Sequence, residues 1–92
     1  MPSTRVNVSL DEEARAAYVR FSTAAVAETV EAAPDLLVDL DHRGWLVGVE
    51  ILSARNLHVF VERKLPKDLP PLPVTPRSTI RQLEQFFGVS AT

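Results

Sequence analysis

The sequence predicts an α+β fold that is mostly β: an antiparallel β-meander of about five strands, followed by one or two C-terminal helices. Three observations predict it. Two apolar runs within residues 36–52 flank the tetrapeptide Asp41-His42-Arg43-Gly44. Short β-forming segments precede that stretch, separated by polar or proline-containing breaks. Near the C-terminus the apolar spacing changes to that of a helix, with Ile80, Leu83 and Phe87 on one stripe.

The tetrapeptide anchors the reading. Asp at the first turn position accepts a hydrogen bond from its own turn backbone, and Gly at the fourth takes positive φ without a Cβ clash. Together they predict a type I turn followed by a glycine bulge, a common three-residue hairpin loop.

Composition narrows the classes. Ninety-two residues make one domain, and a chain this short buries only about 60–65% of its unfolded surface. Apolar residues at 46% and charged residues at 24% are a globular balance. A net charge of −2 offers no general attraction to nucleic acid. The absence of Cys excludes disulfides, thiolate zinc sites and cysteine nucleophiles. The N-terminus has no apolar signal core, and no run approaches the ~20 apolar residues of a membrane span. The expected location is the cytoplasm, away from the membrane.

Taken in order, residues 5–10 alternate, with Val6, Val8 and Leu10 on one side. The polar break at 11–15 suits a turn. Tyr18, Val19 and Phe21 make a second strand over 16–22, against a competing helix through 11–19. A third strand spans 26–32 and ends at Pro34, which has no N–H for a ladder. In the central hairpin Leu37, Trp45, Val47, Val49 and Ile51 are expected on one face, and Val38, Leu40, Leu46 and Leu52 on the other. A one-residue slip would exchange these sets. Either way both faces are apolar, so the C-terminal segment, another subunit or a partner should cover the second.

Residues 55–65 read as a helix capped by Ser53 or as an additional strand, with the helix favoured. Residues 66–76 hold five of the seven prolines and should form a stiff, extended connector between the 1–54 meander and a 77–92 helix. Thr75 is the expected cap of that helix, Pro76 its first residue, and Gly88 its left-handed stop. So short a helix needs a surface to lie on, its own sheet or a partner's.

Several blocks occur in a familiar order: Tyr18-Val19-Arg20-Phe21-Ser22, Val26-Ala27-Glu28-Thr29-Val30, Val38-Asp39-Leu40-Asp41, Gly44, and Leu46-Val47-Gly48-Val49-Glu50-Ile51-Leu52. Over roughly residues 6–54 the chain resembles the short bacterial proteins grouped as domain of unknown function 2283. The resemblance implies a small β-rich domain with no established activity and no catalytic residues to carry over. Some members are encoded beside small toxin-like proteins, which implies an antitoxin-like, regulatory binding role. The N-terminal strand here lacks the family's frequent Tyr-Asp start.

Asp39, Asp41 and His42 are the compact cluster that could bind a divalent metal or share a proton. The plainer reading has Asp41 closing the turn, His42 solvated at its tip, and Asp39 bonded to neighbouring backbone. Glu50, in an apolar strand, should pair with Arg20 or Arg5. His58 reads as a surface or half-buried residue. Residues 79–90 faintly resemble one helix of a helix-turn-helix repressor, without its companions. Trp45 is either a partner-binding anchor or a lid on the core, and Ile80, Leu83, Phe86 and Phe87 are the remaining candidate contact residues. The expectation is a non-enzymatic protein-interaction module that self-associates, with no cofactor. The alternatives are an antitoxin-like regulator binding a small toxin, and a metal-dependent enzyme using Asp39, Asp41 and His42.

Overall fold

Five short strands form one open antiparallel sheet in this computed structural model, which describes residues 6–91. Strands β1 (Asn7–Asp11) and β2 (Ala16–Arg20) make a hairpin, and β3 (Glu28–Ala33), β4 (Leu36–Leu40) and β5 (Leu46–Ile51) make a three-stranded meander. The two units meet through β2 and β5, giving the order β1-β2-β5-β4-β3. A 3-10 turn (Ala54–Asn56), helix α1 (Leu57–Val61) and helix α2 (Arg77–Phe87) follow. The class, strand number and C-terminal helices are those the sequence predicts. No helix among the described residues is long and apolar enough to cross a membrane.

The register aligns one valine from every strand: Val8, Val19, Val49, Val38 and Val30 stand side by side across the sheet. A second row on the same face holds Leu10, Ala17, Ile51, Leu36 and Ala33. β-Branched side chains fit this pleated surface, and neighbouring pairs of them reinforce each strand contact. The opposite face is polar. Its rows read Ser9, Tyr18, Glu50, Leu37, Glu31 and Asn7, Arg20, Gly48, Asp39, Thr29.

Two expectations therefore change. Leu36, Val38 and Leu40 share the buried side with Val49 and Ile51, while Leu37 lies on the polar face between Glu50 and Glu31. The hairpin end sets this register. Leu40 opposes Leu46 while Asp39 opposes Gly48, so Val47 is an extra, bulged residue and the alternation shifts there. With the faces assigned, the expected second apolar face disappears. A single apolar face remains, and the chain covers it itself.

That cover is the C-terminal half. Leu57 and Phe60 of α1, Leu72 of the connector, and Leu83 and Phe87 of α2 join one buried cluster with the sheet. Burial contributes about 1.5–3 kcal/mol for each such side chain. A helix as short as α1 persists only because of these contacts. Ser53 Oγ accepts from the Arg55 N–H (3.2 Å) and so caps the 3-10 turn; the helical reading applies to residues 54–61 and stops there, with no helix over 62–65. Buried Asn56 donates to the Pro34 carbonyl (2.6 Å) and pins the segment to the β3–β4 turn.

Strand ends follow local bonding. Asp11 Oδ1 accepts from the Ala14 N–H (3.0 Å), which makes 11–15 a turn. Phe21 and Ser22 both donate to the bulged Val47 carbonyl, which stops β2 at Arg20. The Arg15 guanidinium donates to the Phe86 carbonyl (3.2 Å) and lies over its ring, fastening the first hairpin to the C-terminal end of α2. Thr75 does not cap α2. Pro76 keeps an extended ψ of 145° and becomes the N-cap residue itself, so the helix starts one residue later. Gly88, at φ +70°, ends it as expected.

Arg63 follows α1 at φ +58°, a left-handed conformation that suits Gly far better than a residue with a Cβ. Arg63→Gly is expected to raise stability by about 0.5–1 kcal/mol, or ~2–8 °C in thermal midpoint, and Arg63→Val to lower it. Thermal denaturation of the two variants against the parent checks both signs.

Candidate functional site

On the open polar face, register and hydrogen bonding converge on Asp39. Its two carboxylate oxygens accept from the Tyr18 hydroxyl (2.8 Å) and the Thr29 hydroxyl (2.6 Å). Tyr18 reaches Asp39 diagonally, passing over Gly48, the neighbour of Asp39 in the adjacent row; a Cβ there would run into the phenol hydroxyl. Burial of the phenol and its bond to the Asp39 carboxylate push the Tyr18 pKa up to about 12. The phenol stays protonated, and the cluster links β2, β4 and β3 across the wet side.

Asp41 serves the turn. Its Oδ1 accepts from the backbone N–H groups of Arg43 (2.8 Å) and Trp45 (3.0 Å), and its own backbone pairs with Gly44 and Trp45. Gly44 takes φ +80°, completing the type I turn and glycine bulge. The Trp45 and Arg43 amides, with the Arg43 guanidinium 3.5 Å away, hold the Asp41 carboxyl below its ordinary value. His42 is exposed at the tip.

The proposed metal set is thus not assembled. Asp39 is bound to two hydroxyls on the sheet face and Asp41 to loop amides. Among the described residues no group of three or more potential ligands comes together. Asp41 lies just past the end of β4 at Leu40, and its carboxylate turns back onto the loop amides, so the i, i+2 spacing does not bring it beside Asp39. Asp39 also differs from the plain reading in bonding side chains rather than backbone.

Trp45 follows the turn, 61% exposed, with the Arg43 guanidinium 4.1 Å from its ring centre. It lines a cleft of about 420 Å³ with Val6, Phe21, Leu46 and the connector residues Pro70, Pro71, Pro73, Val74 and Pro76. One wall is the bulged end of the β4–β5 hairpin; the other is the stiff proline segment. Val74 is 73% exposed beside it. The volume falls in the range of ordinary ligand pockets.

The remaining candidates are placed as follows. Leu83 and Phe87 are buried in the chain's own core, and Ile80 and Phe86 pack half-buried against it. The C-terminal helix therefore packs on its own sheet. His58 is exposed on α1. Glu50 faces Tyr18 and Leu37, and its expected partner Arg20 instead donates to the Ser22 (2.9 Å) and Ala24 (3.5 Å) carbonyls. The alternative partner, Arg5, lies outside the described residues. The sequence singles out Trp45 as either a partner-binding anchor or a lid on the core, and the structure leaves it largely exposed beside the turn. The sequence does not show the proline wall opposite it, since nothing in residues 66–76 indicates which surface an extended segment follows.

Two measurements check the electrostatics. Absorbance titration of the single tyrosine is expected near pH 12. Asp39→Asn should lower the midpoint only in part, because burial remains, and Gly48→Ala, which displaces the ring, should bring it nearer 10. The folded state holds this proton more tightly than the unfolded one, so stability falls as pH rises from 10 towards 12. Asp41 has the opposite sign. Its contribution is complete above the ordinary carboxylate value of 3.8 and is lost as pH falls through the lower folded value. Asp41→Asn keeps an accepting oxygen and should flatten the acid limb of the stability–pH profile.

The family model described as Protein of unknown function (DUF2283) matches residues 7–55. No curated protein and no solved structure matches the chain. The match runs from β1 into the 3-10 turn and takes in every strand, the Asp39 cluster, and Phe21, Trp45 and Leu46 of the cleft. The connector and α2 lie beyond it. Covering more than half of the sequence, it shows that the chain belongs to this uncharacterised family, Protein of unknown function (DUF2283).

Proposed function

We propose that the chain is a non-enzymatic protein-interaction module, and that the Trp45 cleft takes a short, extended, apolar segment of a partner protein. One observation carries the reading. A large aromatic side chain stands 61% exposed at the mouth of an apolar cleft, held in place by a stacked guanidinium and a closed turn. Exposed, pre-ordered Trp residues are frequent centres of binding energy. An aromatic ring beside an extended proline wall suits peptides that already favour a polyproline conformation, because little chain entropy is lost on docking. A small toxin, as in the antitoxin-like reading, would be one partner of this kind, and copurification from the native host identifies it.

Trp45 is the only tryptophan, so its fluorescence reports the cleft alone. Titration with proline-rich apolar peptides of about ten residues, long enough to cross a cleft of this size, should shift its emission and saturate. Trp45→Ala should abolish capture of the same peptides while leaving the circular dichroism unchanged. Peptides that bind equally well to Trp45→Ala, or do not bind at all, would remove the proposal.

A further inference from the structure

Among the described residues no strand lies beyond β1 or beyond β3, so both are edges of the sheet. The two edges differ. β3 carries Glu28 and Glu31, its register shifts between Glu31 and Ala33, and Pro34 follows. Charge, a bulge and proline are the features that keep an edge from pairing with another chain. β1, Asn-Val-Ser-Leu-Asp, pairs with β2 in unbroken register and carries a formal charge only at Asp11. Four of its five residues are exposed.

Alternation shows which backbone groups β1 turns outward. The Phe21 N–H points to β5, 2.8 Å from the Val47 carbonyl. Successive residues of a strand direct their N–H and C=O to opposite sides. Arg20 and Tyr18 therefore bond towards β1, where they oppose Asn7 and Ser9. Val8 and Leu10 lie between those positions and present their N–H and C=O to the open side.

We propose that two copies of this chain pair through β1, antiparallel and centred on Ser9, joining their sheets into one. The strand complements itself in that register. Val8 meets Leu10 of the second copy on the helix-bearing side, and Leu10, now 39% exposed, is covered. Ser9 meets Ser9, and Asn7 meets Asp11, on the polar side. Val8 and Leu10 exchange backbone hydrogen bonds with their opposites about a two-fold axis. Charge agrees with the register: each Asp11 faces an amide that can donate to it, and the two Asp11 residues stand about 14 Å apart along the strands. The inference is independent of the Trp45 cleft.

Sedimentation equilibrium of the full chain is expected to show a monomer–dimer equilibrium in the micromolar range. Asn7→Asp sets carboxylate against carboxylate at both ends of the pairing and should weaken the dimer about tenfold. Asn7→Lys should tighten it several-fold. Asn7 is exposed, so both variants should keep the parent circular dichroism. Leu10→Pro removes an outward N–H without touching the β1–β2 ladder and should leave a folded monomer. Amide exchange at Val8 and Leu10 should slow as concentration rises. A chain that stays monomeric at several hundred micromolar, or a dimer indifferent to the Asn7 changes, would overturn the proposal.

Discussion

The row of valines across the sheet is the constraint on which the rest of the structure depends. Val8, Val19, Val49, Val38 and Val30 stand in line only if every strand keeps its observed register. A one-residue slip in any strand would turn its valine to the wet face and bring a polar neighbour inward. The row therefore locks five short strands together, although each is too short to be stable alone. It also defines the single surface on which Leu57, Phe60, Leu72, Leu83 and Phe87 can be buried.

Asymmetry between the faces follows from the same register. Once the valines point inward, Tyr18, Arg20, Asp39, Glu50 and Thr29 point outward, where side-chain hydroxyls and a carboxylate bond one another across strands. This face needs no covering. Alternation is broken, or the sheet ends, at two other places among the described residues. The bulge at Val47 turns the hairpin end so that Trp45 and Leu46 meet the connector, and the plain β1 edge leaves backbone groups open.

Local chemistry was legible where a few neighbouring residues decide the conformation. Asp41 and Gly44 specified their turn, Ser53 its cap and Gly88 its stop, because each acts on backbone groups within a few positions. The faces of β4 were not legible. Leu36, Val38 and Leu40 alternate with Leu37 and Asp39, but only the pairing with β5, offset by the bulged Val47, puts them on the side of Val49 and Ile51. The carboxylates of Asp39 and Asp41, close in sequence, have separate partners because Asp39 lies on the sheet face and Asp41 beyond the strand end, in the loop. The Tyr18 partner lies 21 residues away, beyond the reach of any local spacing.

By itself the sequence determined the class, the central hairpin and the C-terminal helix that Gly88 ends, while leaving residues 55–65 open between helix and strand. Each rests on backbone preferences set by adjacent side chains. Tertiary structure alone decided that β2 lies against β5, that one face is dry and the other wet, and that the proline segment closes a cleft over Trp45. Those outcomes depend on which distant segments exclude water from one another. That depends on the register of the whole sheet, which no single segment sets alone.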